Sequence, residues 1–263
     1  MVGALRFLVA LAALFAPVHA FAAGCFPTAA VPPRVEPAAL RAADLPGGAT
    51  VRLTFLGHAS FLIETAGGAS AVTDYSGAFP PPFTPDIVTM NNAHPSHYTG
   101  VVDPGVRYVL RGWNPAGGEA HHDVTDQDLR VRNVPTAVRG RWGDQGNSNS
   151  IFVFEVADLC LAHLGHLHQL LTREQLGELG QIDVLLVPVD GVWTMSQPEM
   201  VEVMEQVRAP LVIPMHYVGE GPLESFLELV RERYAVVMSE TPSVTLSRGT
   251  LPARRTVLVL PGR

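Results

Sequence analysis

Five short runs, at residues 86–90, 151–156, 159–162, 183–189 and 211–215, are dominated by apolar side chains with no polar alternation. A strand of that kind has no face to give to water, so these runs read as strands of a sheet buried on both sides. Helical segments lie between some of them. Thr172-Arg173-Glu174-Gln175 and Ser196-Gln197-Pro198-Glu199 each fit a capping box, the second with proline in the first turn, and a third helix is expected over 222–233. Upstream, residues 51–55, 60–64 and 71–74 are short β-type runs broken by Gly57, which suggests an antiparallel meander. Strands on both sides of helical crossovers, with no dinucleotide glycine fingerprint and no internal repeat, indicate an α/β sandwich spanning residues 50–263 as one domain.

The first 49 residues have a different character. Arg6 precedes an apolar run at 7–16, and small residues follow. The run is too short to cross a hydrocarbon core of about 30 Å, so residues 1–24 read as a secretory signal peptide. Ala22-Ala23-Gly24-Cys25 also resembles a lipobox, which leaves two exported states open: a lipoprotein anchored in the outer membrane through Cys25, or a soluble periplasmic protein. In the second state Cys25 is a free thiol or pairs with Cys160. Because Leu159-Cys160-Leu161-Ala162 reads as a buried strand, a disulfide to the N-terminal arm looks sterically awkward, and an inert buried thiol is the expectation. Residues 25–49 are Ala/Pro-rich and read as a linker or draped arm.

All 18 cationic side chains are arginine. The absence of lysine removes a P-loop lysine, a Schiff-base lysine and an S-x-x-K acylation site together. With a net charge of −7 and no stripe of arginines interleaved with aromatics, nucleic acid is not expected as a partner; a small-molecule substrate is. Ten histidines stand against two cysteines, so soft or basic ligand chemistry must lean on imidazole.

The histidines collect where the apolar runs end. Residues 86–90 lead to His94 and His97, residues 159–162 to His163, His166 and His168, residues 183–189 to Asp190, and residues 211–215 to His216. Loops from separated parts of an α/β chain converge at the carboxyl ends of its strands, and neutral imidazole is the commonest metal ligand. His94, His97, His166 and His216 are the expected metal ligands, with His163 as a further candidate, although at most two of His163, His166 and His168 can face one ion. His58, His121 and His122 read as incidental. Asp190 is the first candidate for a general base, Asp74 the second and Asp144 the third. Each has a structural alternative: Asp74 can orient a rim residue, Asp190 can cap the turn before Gly191, and Asp144 can be solvated. Asn147 and Asn149 can touch substrate or form turns.

Leu56-Gly57-His58-Ala59-Ser60-Phe61-Leu62-Ile63-Glu64, Asp74, the loop at 92–97, His163-Leu164-Gly165-His166-Leu167 and Val212-Ile213-Pro214-Met215-His216-Tyr217 together resemble the metallo-β-lactamase fold superfamily, in its lactonase-like branch of zinc-dependent hydrolases. The resemblance implies a four-layer αββα sandwich with a metal site at the strand ends. The family loop H-x-H-x-D-H reads here N-x-H-x-S-H: Asn92 and Ser96 replace a histidine and the aspartate, while His94 and His97 match. His166 stands where a metal-bridging aspartate is usual, and no histidine falls between Asn133 and Asn149. Two divalent ions about 3.5–4 Å apart need anionic ligands to offset their repulsion. One zinc ion is therefore expected rather than two, in an exported hydrolase acting on an ester, lactone, amide or phosphoester. The alternatives are a degenerate member that binds a ligand or partner without turnover or metal, and a separate site built from His163, His166 and His168. β-Lactam turnover is not expected.

Overall fold

The computed structural model describes residues 24–25, 45, 50–140 and 143–262, without the side chains of 139–140 and 143–147. The expected leader, all of the arm except residues 25 and 45, and the side chains of Asp144 and Asn147 lie outside the described residues.

Two mixed sheets stack face to face. The first has six strands, in the order β13 (Ser243–Leu246), β1 (Val51–Gly57), β2 (Ser60–Thr65), β3 (Ser70–Val72), β4 (Ile87–Met90) and β5 (Tyr108–Arg111). Its β1–β2–β3 part is the expected antiparallel meander, and β4 and β5 then add in parallel. The second has eight strands, in the order β12 (Ala235–Met238), β14 (Thr256–Val259), β11 (Leu211–Met215), β10 (Val184–Pro188), β9 (Leu159–His163), β8 (Gly143–Val156), β7 (Leu129–Gly140) and β6 (Asp123–Asp126). Strands β9, β10 and β11 run parallel, so the segments that follow them emerge on one edge.

The apolar runs explain the layering. Along β10, Val184 and Leu186 face the first sheet while Leu185 and Val187 face outward, and all are fully buried. The outward set is covered by α1 (Arg173–Leu179), α2 (Gln197–Val207) and α3 (Glu220–Val230) through residues such as Leu179, Met200, Met204 and Phe226. Both capping boxes form: Thr172 accepts from the Gln175 amide and Ser196 from the Glu199 amide. The third helix begins two residues earlier than its sequence pattern suggests and stops at Val230. On the first sheet the outer residues Leu56, Leu62, Val72, Val88 and Met90 pack beneath loop aromatics, among them Tyr75, Phe79, Tyr98 and Trp113.

The long β7–β8 hairpin was not expected from sequence, because Gly143-Asp144-Gln145-Gly146-Asn147 reads as a polar loop. Pairing from Leu129↔Val156 out to Gly140↔Gly143 makes it a strand by backbone bonding alone.

One expectation about the cysteines is overturned. Cys25 and Cys160 form a disulfide across a sequence separation of 135 residues. The arm reaches β9 because a seat exists for it: Gln181 N–H donates to the Cys25 carbonyl at 2.9 Å. Gly180, at φ 70°, has no Cβ to collide with that carbonyl, which would lie 2.7 Å away.

Candidate metal centre

The two sheets are stitched together at the edge where β9, β10 and β11 end. His216 N–H donates to the His58 carbonyl at 2.7 Å, Ser150 N–H to the Asn91 carbonyl at 3.1 Å, and Asn92 forms an isolated bridge with Asn149. His58 sits in the β1–β2 turn and His97 in the loop after β4; His166 follows β9 and His216 follows β11. Four imidazoles from two sheets thereby meet. The His97 and His216 rings stack 5.0 Å apart, His97 and His166 lie 4.7 Å apart, and His58 is 4.2 Å from His216.

Two buried carboxylates decide which nitrogen of each ring faces inward. Asp74 Oδ2 accepts from His97 Nδ1, so the neutral ring keeps its lone pair on Nε2. Asp190 Oδ1 lies 2.9 Å from His216 Nδ1, at ion-pair distance though without good hydrogen-bond alignment, and leaves Nε2 of that ring as acceptor as well. The two Nε2 atoms are 3.2 Å apart, and His166 Nδ1 is 2.9 Å from His97 Nε2. Lone pairs held this close repel unless a positive charge sits among them. One proton can join only two of the three nitrogens; a cation can satisfy all of them.

The spacing fits an ion. Imidazole nitrogens bound to one tetrahedral centre at about 2.0–2.1 Å lie roughly 3.0–3.5 Å from one another; the contact of His216 with His97 Nε2 falls in that range at 3.2 Å and that of His166 just below it at 2.9 Å. The inward nitrogens of His58, His97 and His216 also lie within 4.8 Å of one another. His58 Nε2 is buried and has no hydrogen-bond partner among the described residues, so its lone pair can be given to an ion. Burial and the neighbouring His216 and His97 rings lower the His58 pKa to about 4, and burial with the same crowding lowers His166 to about 3. Both are neutral at pH 7, the form that binds metal.

The expected residues divide. His97, His166 and His216 come together; His94 lies at the rim, 6.0 Å from the His97 ring and 6.5 Å from that of His166, with its Nδ1 2.7 Å from Ser96 Oγ. His163 is directed elsewhere: Nε2 donates to the Ala59 carbonyl at 2.7 Å, while Nδ1 accepts from Asn91 Nδ2 at 3.2 Å and from Gly165 N–H at 3.1 Å. Both ring nitrogens are consumed, so His163 braces the two sheets and offers no ligand atom. His58, read from sequence as incidental, takes its place. The signal was present in the run from Leu56 to Glu64, but a turn between two antiparallel strands is not where carboxyl-end reasoning looks.

Neither carboxylate is placed as a general base. Asp190 Oδ2 accepts the amides of Val192, Trp193 and Thr194, and Oδ1 accepts from Thr194 Oγ1 at 2.6 Å. Burial alone would raise its pKa, but the bonds from His216, Thr194 and Val192 outweigh it and hold the carboxyl well below the usual range. For Asp74 burial likewise pulls upward, and the electrostatic interaction and hydrogen bond with His97 prevail and lower it. These are carboxylate–histidine supports that fix tautomer and ring orientation. Asn149 is also structural: its Oδ1 accepts from His166 N–H at 2.8 Å and its Nδ2 donates to Thr136 Oγ1. His121 pairs with Glu119, and His122 Nε2 donates to the Arg111 carbonyl.

An α/β sandwich with buried imidazoles gathered at one strand edge is the architecture expected of the metallo-β-lactamase superfamily. The sequence model of the beta-lactamase superfamily domain matches residues 52–216, and the chain belongs to the metallo-β-lactamase superfamily. A UPF0173 metal-dependent hydrolase of Methanoculleus marisnigri is 30% identical over 191 residues, covering 64% of this chain and 81% of that protein. Another, from Salinibacter ruber, is 26% identical over 69% of this chain and 91% of the relative. A solved structure from Thermotoga maritima, described as a proposed zinc-dependent hydrolase of the superfamily, superposes with a TM-score of 0.61 at 30% identity, covering 81% of this chain and all of the other.

Two outcomes follow from this geometry. Asp74→Asn and Asp190→Asn should each weaken metal affinity by about 10–100-fold in competition with a chelating dye, whereas His163→Asn should lower stability and leave affinity unchanged; equal affinity in wild type and both aspartate variants would remove their orienting role. In metal-free protein, the unfolded chain binds protons below pH 6.5 that His58 accepts only near pH 4 and His166 near pH 3. Stability should therefore fall as pH is lowered from 6.5 toward 4, read as melting temperature at pH 7 and pH 5. The fall should be shallower in His58→Asn/His166→Asn, and an unchanged slope there would count against these two rings.

Proposed function

We propose that the chain is an exported hydrolase using a single zinc ion, with His97 and His216 as the anchoring ligands and His58 and His166 completing the set. The observation that carries this is the approach of three imidazole nitrogens within 2.9 and 3.2 Å contacts, two of the rings backed by buried aspartates. An ion there supplies Lewis acidity for activating water and polarising a scissile carbonyl or phosphoryl oxygen. The remaining work falls to the chain. Asp74 and Asp190 hold the His97 and His216 rings in place. The cleft, about 350 Å³ and lined by His58, His94, Ser96, His166, Trp193 and His216, receives the substrate, an ester, lactone, amide or phosphoester. His94, exposed and steadied by Ser96 Oγ, stands at the mouth of the cleft. The donor set supports one ion rather than two, since among the described residues the carboxylates against these rings, Asp74 and Asp190, are spent on their Nδ1 atoms and on backbone amides.

Export is supported by the Cys25–Cys160 disulfide, because such bonds form and persist in oxidising compartments. A sulfur engaged in a disulfide cannot also carry a thioether-linked lipid, so the soluble periplasmic state is favoured over the lipoprotein.

Purified protein produced with zinc should carry about one equivalent of metal per chain and hydrolyse members of an ester panel, with both properties lost in His97→Ala and His216→Ala. Less than about 0.2 equivalents of any transition metal would contradict the assignment. Peptide mapping of the chain recovered from a producing cell should find it outside the cytoplasm with Cys25 linked to Cys160. Diacylglyceryl on Cys25, or full-length chain with free thiols in the cytosol, would overturn the soluble exported state.

A further inference from the structure

The cleft beside the imidazoles continues into a second open lobe of about 400 Å³ whose walls include Phe79, Pro95, Tyr217 and Val218. His58 and Ser96 line both lobes, so a single imidazole separates the candidate metal position from an apolar groove. Each lobe lies within the range of roughly 300–1,000 Å³ seen for small-molecule sites. Among the described residues no arginine, aspartate or glutamate lines either one.

The apolar walls are fixed by the same elements that hold the centre. Trp193, 60% exposed, is carried on the turn whose amides bond to Asp190, the carboxylate that also supports His216. Val218, 68% exposed, follows His216 by two residues. Phe79 lies against Gly57 so closely that a Cβ there would approach its ring to 2.5 Å, and the ring stacks 6.5 Å from His58. Leaving these large side chains in water is unfavourable. Their position around one cleft, without a charged neighbour, marks a surface that an apolar group covers when it binds.

We propose that the substrate is an uncharged carboxylic ester or lactone bearing an apolar acyl or aryl group. Its carbonyl lies in the lobe between His166, Trp193 and His216, and its apolar group lies in the Phe79–Val218 lobe. This rests on the hydrolase reading and narrows it: an ion would meet the reacting group, but the described walls of the Phe79–Val218 lobe hold no cationic side chain for an anionic group, so the group seated there is uncharged. In the reaction the water oxygen bonds to the acyl carbon, the C–O bond to the leaving alkoxide breaks, and the alkoxide takes a proton given up by that water, yielding acid and alcohol.

Two measurements separate this proposal from the reading beneath it. Calorimetric titration of chelator-treated protein should show 2-naphthyl butyrate binding about tenfold or more tightly than 2-naphthyl phosphate, with the preference lost in Val218→Asp. For zinc-loaded protein, kcat/KM on p-nitrophenyl esters should rise about tenfold or more from acetate to hexanoate and flatten in Val218→Asp. Tighter binding of the phosphate, or a rate indifferent to acyl length in wild type, overturns the proposal and leaves a metal-dependent hydrolase standing. Binding of the butyrate without turnover of any ester by the zinc-loaded protein keeps the apolar lobe and its occupant class and removes the hydrolase reading.

Discussion

The arrangement at the strand edge depends on two carboxylates that water does not reach freely. Asp74 is 1% and Asp190 6% exposed, and an ionised carboxylate so placed is costly unless its oxygens are fully engaged. Both are: Asp74 between His97 and the Asn91 amide, Asp190 between His216 and the amides and hydroxyl of its own turn. Meeting that electrostatic requirement sets the tautomer of His97 and holds the His216 ring at ion-pair distance from Asp190. Their lone pairs are then forced toward one another, and the need for a cation follows from the fold rather than from any single residue. Removing Asp74 would free the His97 ring and the Asn91 amide, and removing Asp190 would leave the His216 ring and the amides of residues 192–194 without their acceptor.

The sandwich makes this possible because its sheets meet where their strands end. His58 belongs to the first sheet and His216 to the second, yet the amide of one bonds to the carbonyl of the other at 2.7 Å. His163 ties the same edge from within, spanning Ala59, Asn91 and Gly165. The outer layer of the second sheet depends on helices; the outer layer of the first depends on loop aromatics, and Phe79 of that layer reappears as a wall of the cleft. Structure and recognition thus share residues, and the substrate groove lies one ring away from the chemistry.

Much of this was legible in the sequence, because continuous apolar runs, capping boxes and the early meander are local signals and the structure keeps them. The resemblance to the superfamily could be read from the same segments. The strand ends also pointed to His97, His166 and His216. What local reading could not resolve was direction. His163 and His166 are three residues apart after one strand, and only the Asn91 side chain and the Gly165 amide, brought in by folding, send one ring inward and consume it. Asp190 looks like a base at a strand end until its turn closes on it. His58 was passed over because its role is created by the opposite sheet. The β7–β8 hairpin and the Cys25–Cys160 link were missed for a related reason: backbone pairing of a polar segment, and a seat without a Cβ at Gly180, leave no periodic trace.

Compared with the loop pattern usual in the superfamily, the centre has lost carboxylates, with Ser96 and His166 in positions where acids are common. Neutral ligands leave the full charge of a divalent ion in place, which favours Lewis acidity at one metal and opposes the entry of a second. X-ray absorption at the zinc edge of the loaded protein tests this claim most directly. A single shell of imidazole nitrogen, with any solvent oxygen, at about 2.0–2.1 Å and no zinc–zinc scattering is the predicted result. A metal–metal vector at about 3.5–4 Å would contradict it.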